Sequence, residues 1–144
     1  RWVRVIHSWS VCDSFSLPQS KKLLREHGGE LWAFFLPYLQ HSGEYEVRFG
    51  IVALMQYFIG DEHIDELLRH YLAVSHEGYY VRMALAWAIA ECYTFYPTET
   101  HPYLAEKRFQ PWVHNKAIQK ICESRRIDPD TKTLLKALRI KASK

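Results

Sequence analysis

The sequence predicts an all-α fold: an α-α superhelix of HEAT-like helical repeats with a concave face. Three observations carry that expectation. No segment alternates apolar and polar residues as a half-buried strand would, whereas segments of helical period follow one another across short Gly, Pro, Asn or Asp breaks. The segments also repeat, because Tyr45-Glu46-Val47-Arg48-Phe49 returns 34 residues later as Tyr79-Tyr80-Val81-Arg82-Met83. Each repeat has room for two antiparallel helices, the unit of an α-solenoid. The third observation is the segment 79–93, which has two apolar faces and so belongs inside a stack of helices. Tetratricopeptide units share this period, but their Trp, Leu-Gly and Tyr positions are not met.

Helices are expected near 1–13, 20–27, 30–41, 44–59, 61–75, 78–96, 99–107, 111–125 and 128–140, forming one domain over 1–144. Asp61 and Asp128 stand where N-caps belong, and Pro111 and Pro129 suit a first turn. Gly28-Gly29, Gly43, Gly60 and Gly78 punctuate the joins. Within 79–93, Val81, Leu85, Ala88, Ile89 and Cys92 form an aliphatic stripe. Arg82, Ala86 and Ala90 form a strip small enough to admit a neighbouring helix. Trp87 falls instead with Tyr80, Met83 and Glu91, and two readings fit it: a core aromatic, or the wall of a cleft.

At 144 residues, with 48% apolar and 15% aromatic residues, the chain can bury a core of ordinary size. No apolar run approaches the roughly 18 residues of a membrane span. Cys12, Cys92 and Cys122 are odd in number and widely separated, which fits reduced thiols in the cytoplasm and gives no zinc spacing. The eight His give no metal constellation, and no Gly-rich loop or nucleophile elbow is present, so neither metal nor cofactor is expected. The net charge of +3 is uneven: residues 107–144 hold eleven Lys/Arg against three acids, a balance of +8, while residues 1–106 balance at −5. A basic end on an acidic body suits an anionic partner, nucleic acid first of all, or a solvated tail.

The repeat also aligns charges. A spacing of 34 takes Arg82 on to Lys116, and a spacing of 35 takes Arg48 back to Asp13. Stacked repeats would set Asp13, Arg48, Arg82 and Lys116 along one surface, where the three cations suit a phosphate backbone unless the alignment is chance. Asp13 follows Trp2, Ile6 and Trp9 at helical spacing. Arg48 lies in a mostly apolar segment, and a buried Arg needs a partner. Asp13 is the candidate, as a structural ion pair or as part of an active site.

These residues resemble the AlkD-type DNA alkylation repair glycosylases, which are built from HEAT-like repeats. Trp9-x-x-x-Asp13 resembles the family's Trp and catalytic Asp; Arg48, 35 residues on, its active-site Arg; and Trp87, another 39 on, its second Trp. The similarity runs from about Trp2 to the basic segment Asn115–Lys120, and implies that these residues form the C-terminal part of a longer solenoid. It implies excision of cationic N3- and N7-alkylated purines from double-stranded DNA, without swinging the base out of the stack, by a monomer that acts in the cytoplasm. Asp13 would stabilise the oxocarbenium-like sugar and place a water, Trp9 and Trp87 would pack on the deoxyribose, and Arg48 would hold the adjacent phosphate. Arg82, Lys116, Lys120, Arg125 and Arg126 would contact DNA. Met83 and Ala90 depart from the pattern, standing where the better-known branch has Lys and Arg. Two alternatives come from other classes: a DNA-binding helical-repeat protein without turnover, and a protein-interaction scaffold.

Overall fold

The computed structural model describes residues 29–140, and among them there are helices, turns and loops but no strand. Residues 29–35 are helical and tighten into a 3-10 helical turn, Leu36–Gln40. Then come α1 (Glu44–Phe58), α2 (Ile64–Leu72), α3 (Tyr79–Phe95), α4 (Pro97–Ala105), α5 (Pro111–Cys122) and α6 (Pro129–Ala137). Each longer helix is followed by a shorter one. The longer helices α1, α3 and α5 pack side by side with α3 in the middle. The described chain is an all-α helical repeat fold, as the 34-residue periodicity predicts.

Local chemistry sets most boundaries. Tyr96, the single residue between α3 and α4, precedes Pro97 and takes φ −137°, ψ 64°, because proline disfavours helical geometry in the residue before it. The helix boundary therefore falls at Pro97, two residues before the expected 99. Pro111 and Pro129 occupy the first turns expected of them. Asp128 caps α6, accepting the Thr131 N–H at 2.9 Å and the Thr131 hydroxyl at 2.7 Å. Asp61 is a correction: α2 begins only at Ile64, its N-cap residue is His63, and Asp61 instead accepts the Tyr96 hydroxyl at 2.7 Å. That bond joins the loop before α2 to the α3–α4 joint, which no local signal could announce.

Two joins repeat along with the helices. The Gly43 N–H donates to His41 Nδ1 at 3.0 Å, and the Gly78 N–H donates to His76 Nδ1 at 3.0 Å. Since His76 Nδ1 accepts, its Nε2 carries the hydrogen and donates to the Ser42 carbonyl at 3.1 Å, tying the second join to the first. Glu44 adds a further tie, accepting the Tyr80 N–H at 2.8 Å. The His-x-Gly element returns at a spacing of 35 and marks the start of α1 and α3 alike.

The core follows the apolar stripe. Val81, Ala88, Ile89 and Cys92 are fully buried and Leu85 nearly so. Ala86 and Ala90 are buried too, on the strip that faces α5: Arg82 at its head lies over Trp112, and Ala90 sits beside Lys120. Small side chains there let α5 pack along α3. Gly50 has the same role where the 3-10 turn crosses α1; a Cβ at Gly50 would come within 2.8 Å of the Tyr38 Cβ. The buried Tyr71 hydroxyl donates to the Ile51 carbonyl at 2.9 Å and pins α2 to α1.

Candidate functional site

The middle helix α3 leaves one stripe uncovered. Tyr80, Met83, Trp87, Glu91 and Thr94 recur at helical intervals, all exposed or half-buried, while Ala84, Ala86, Ala88 and Ala90 around Trp87 are buried. From Tyr80 to Thr94 the stripe is about 21 Å long at 1.5 Å per residue, close to the width of a DNA duplex. Trp87 stands in the middle of it. Both readings of that tryptophan hold in part: it is half-buried, packs against the core and walls a cleft.

On the α1 side of Trp87 lies a cleft of about 440 Å³, walled by Met55, Gln56, Ile59, Trp87, Glu91 and Phe95. On the α5 side lies a second, of about 340 Å³ and more polar, to which Trp87 and Glu91 also belong, with Thr94, Lys120, Glu123, Ser124 and Arg126. Trp87 and Glu91 are the ridge between the two clefts, which lie side by side on the C-terminal half of α3 and are together called the trough below. Arg126 lies 5.1 Å over the Phe95 ring and closes the rim. An indole face beside a carboxylate accepts a cation, and Lys120 and Arg126 at the edge suit the phosphates flanking it.

The other sequence-derived residues lie around the N-terminal half of α3. Arg48 is buried, 8% exposed, and its Nη1 donates to the Tyr80 carbonyl at 2.9 Å. It therefore braces the first turn of α3 from inside the repeat. Arg82 is half-buried over the Trp112 ring at 4.9 Å, and its Nε has no hydrogen-bond partner. Lys116 Nζ approaches the same ring at 5.7 Å and donates to Gln119 at 3.2 Å. The aligned cations are thus not presented alike: Arg48 turns inward to main chain, while Arg82 and Lys116 gather on one indole. Arg125 is exposed in the loop between α5 and α6. Trp9 and Asp13 lie outside the described residues.

The trough also contains residues that the sequence did not single out as site residues. Glu91 shares the helical stripe with Trp87, so periodicity carried a signal for it. Phe95, four residues after Glu91, lies in α3 itself, whereas Gln56 had no such signal, because it enters through the packing of α1 against α3. Trp112 follows Pro111 at the head of a helix and gives no local hint that two cations converge on it.

Two thiols, Cys92 and Cys122, lie among the described residues. Burial pushes the Cys92 thiol up to about 12, with the Glu91 charge adding to the effect, so it stays protonated and inert. The Cys122 thiol lies 3.8 Å from the Lys132 carbonyl. Among the described residues no three His, Cys, Asp or Glu side chains are grouped to hold a metal ion, and no helix is long and apolar enough to cross a membrane.

No curated protein and no solved structure matches the chain. A family model does, that of the DNA alkylation repair enzymes, over residues 1–121. The match spans the repeats that supply Arg48, Trp87 and Lys120, and with it the chain belongs to the DNA alkylation repair enzyme family.

Proposed function

We propose that this protein is a DNA glycosylase that excises cationic N3- and N7-alkylated purines from double-stranded DNA. The observation that carries this reading is the trough in which Trp87 and Glu91 form the ridge and Lys120 and Arg126 the edge. An alkylated purine is already positively charged, so it departs with the electrons of its glycosidic bond and needs no strong acid. The positive charge then passes to the sugar, and catalysis consists of stabilising that charge and supplying a water. Asp13 is assigned both tasks, with Trp9 and Trp87 against the deoxyribose. Arg48, held at the first turn of α3, is assigned the adjacent phosphate. Arg82, Lys116, Lys120, Arg125 and Arg126 are assigned to the DNA backbone, and the chain acts as a monomer without metal or cofactor.

Ala90 stands where the better-known branch has a cation, in a cleft whose charged lining residues are Lys120 and Arg126 against Glu91 and Glu123. Lys120 of α5 stands beside Ala90 in the same polar cleft and brings a positive charge to the place. The deciding experiment measures release of N7-methylguanine from duplex DNA by the protein and by Asp13→Asn. Release by the first alone is expected, with duplex binding nearly equal in both. Undiminished release by Asp13→Asn would remove Asp13 from the centre of the reaction, and no release by either would leave the silent binder.

A further inference from the structure

Residues 138–140, past the end of α6, are held against α5 by two adjacent side chains. Buried His114 bonds the Leu138 carbonyl through Nε2 at 2.8 Å. The Asn115 side chain donates to the Ile140 carbonyl at 2.7 Å and accepts the Ile140 N–H at 2.8 Å. The Asn115 amide thus satisfies both main-chain groups of one residue, as a neighbouring peptide unit would. A solvated tail needs no such grip, because ordering these residues costs conformational entropy that the bonds must offset.

The residue between these bonds is Arg139. Its side chain is exposed and lines a cleft of about 250 Å³ with Trp112, Asn115, Lys116 and Gln119. The charged residues of that lining, Lys116 and Arg139, are both cations. Arg82 lies over the Trp112 ring at 4.9 Å and adds a third positive charge nearby. Cations gathered without a carboxylate repel one another, and an anion between them removes that cost. Lys116 stands one turn before Lys120 on α5, about 6 Å along the helix axis, so this cleft adjoins the cationic edge of the trough.

We propose that Arg139 is a DNA-backbone residue, held by the His114–Asn115 clamp so that it and Lys116 take a phosphate beyond the edge of the trough. The guanidinium presents paired N–H groups that match two phosphate oxygens, and the Lys116 ammonium adds a point charge. The family match covers residues 1–121 and so assigns nothing to Arg139. The inference rests on the DNA-binding part of the reading above and not on base release.

The test measures how the affinity of the whole chain for unmodified duplex DNA falls with salt. Each phosphate contact contributes about 0.9 to the slope of log affinity against log salt, so Arg139→Gln should lower the slope by about that amount. Arg139→Lys keeps the charge and should keep most of the slope. Lys136→Gln changes a cation of α6 outside the cleft lining and should leave the slope at the wild-type value. Asn115→Ala removes no charge, yet by releasing Arg139 it should lower the slope as far as Arg139→Gln does, and the two together no further. A wild-type slope in Arg139→Gln or in Asn115→Ala overturns the proposal. Additive losses in the double variant overturn it too, because clamp and cation would then serve different contacts. Arg139→Gln is an exposed change with little effect on folding, so its slope decides the matter even where the clamp variant is unstable. Failure of the wild type to bind unmodified duplex would overturn the inference together with the reading it rests on; a wild-type slope that Arg139 does not share overturns the inference alone.

Discussion

Lys107 has a left-handed backbone, φ 55°, the one such conformation outside glycine among the described residues. It stands just past the end of α4, where its N–H donates to the Leu104 carbonyl at 3.1 Å and the Arg108 N–H donates to the Tyr103 carbonyl at 3.1 Å. That pair of bonds is the Schellman closure of a helix, usually built on glycine. The contact that ordinarily seals it is apolar; here the Arg108 guanidinium lies 4.6 Å over the Tyr103 ring. The strain of a side chain at Lys107 is thus accepted for a closure that steers the chain towards Pro111 and the start of α5. Replacing Lys107 by Gly relieves the left-handed penalty and loses some chain entropy, for a net gain of about 0.5–1 kcal/mol. Chemical denaturation should show the midpoint rising with an unchanged slope. A lower midpoint would mean that the lysine side chain contributes something the closure does not explain.

At the scale of elements, caps and prolines were readable and long-range partners were not. Pro111, Pro129 and Asp128 act within a few residues of themselves, so sequence pattern placed them correctly. Asp61 has the chemistry of an N-cap, yet it pairs with the hydroxyl of Tyr96, 35 residues on, and tertiary contact overrode local preference. The same division holds for the site: Trp87, Glu91 and Phe95 were written in one helix, whereas Gln56 and Trp112 reach their places only through packing. Asp128 offers a test at this scale. Its bonds from the Thr131 hydroxyl and the Thr131 N–H hold its carboxyl below the ordinary value of 3.8. A lowered folded-state value means that the cap stabilises fully above the unfolded value and is lost as pH falls through the folded one. Asp128→Ala should therefore melt earlier than wild type at neutral pH, with the gap narrowing below about pH 4. A gap that stays constant into acid would place the effect in helix packing rather than in the charged cap.

For the whole molecule, the repeat sets out two regions along α3. Side-by-side packing of α1, α3 and α5 builds the trough over the C-terminal half of α3 and gathers Arg82 and Lys116 near its N-terminal half. Of the basic residues in 107–144, Lys120 of α5 and Arg126 of the loop after it border the open side of α3. Charge so placed predicts how DNA binding responds to salt. Each phosphate neutralised contributes about 0.9 to the slope of log affinity against log salt. Lys120 and Arg126 edge the trough, so Lys120→Gln/Arg126→Gln should reduce the slope for duplex DNA by about 2, and to the same extent for alkylated and unmodified sequences. Lys132→Gln changes a cation in α6, away from both regions, and should leave the slope unchanged. If the double variant retained the wild-type slope, the duplex would lie elsewhere on the molecule, and Trp87 would lose its claim to face the deoxyribose.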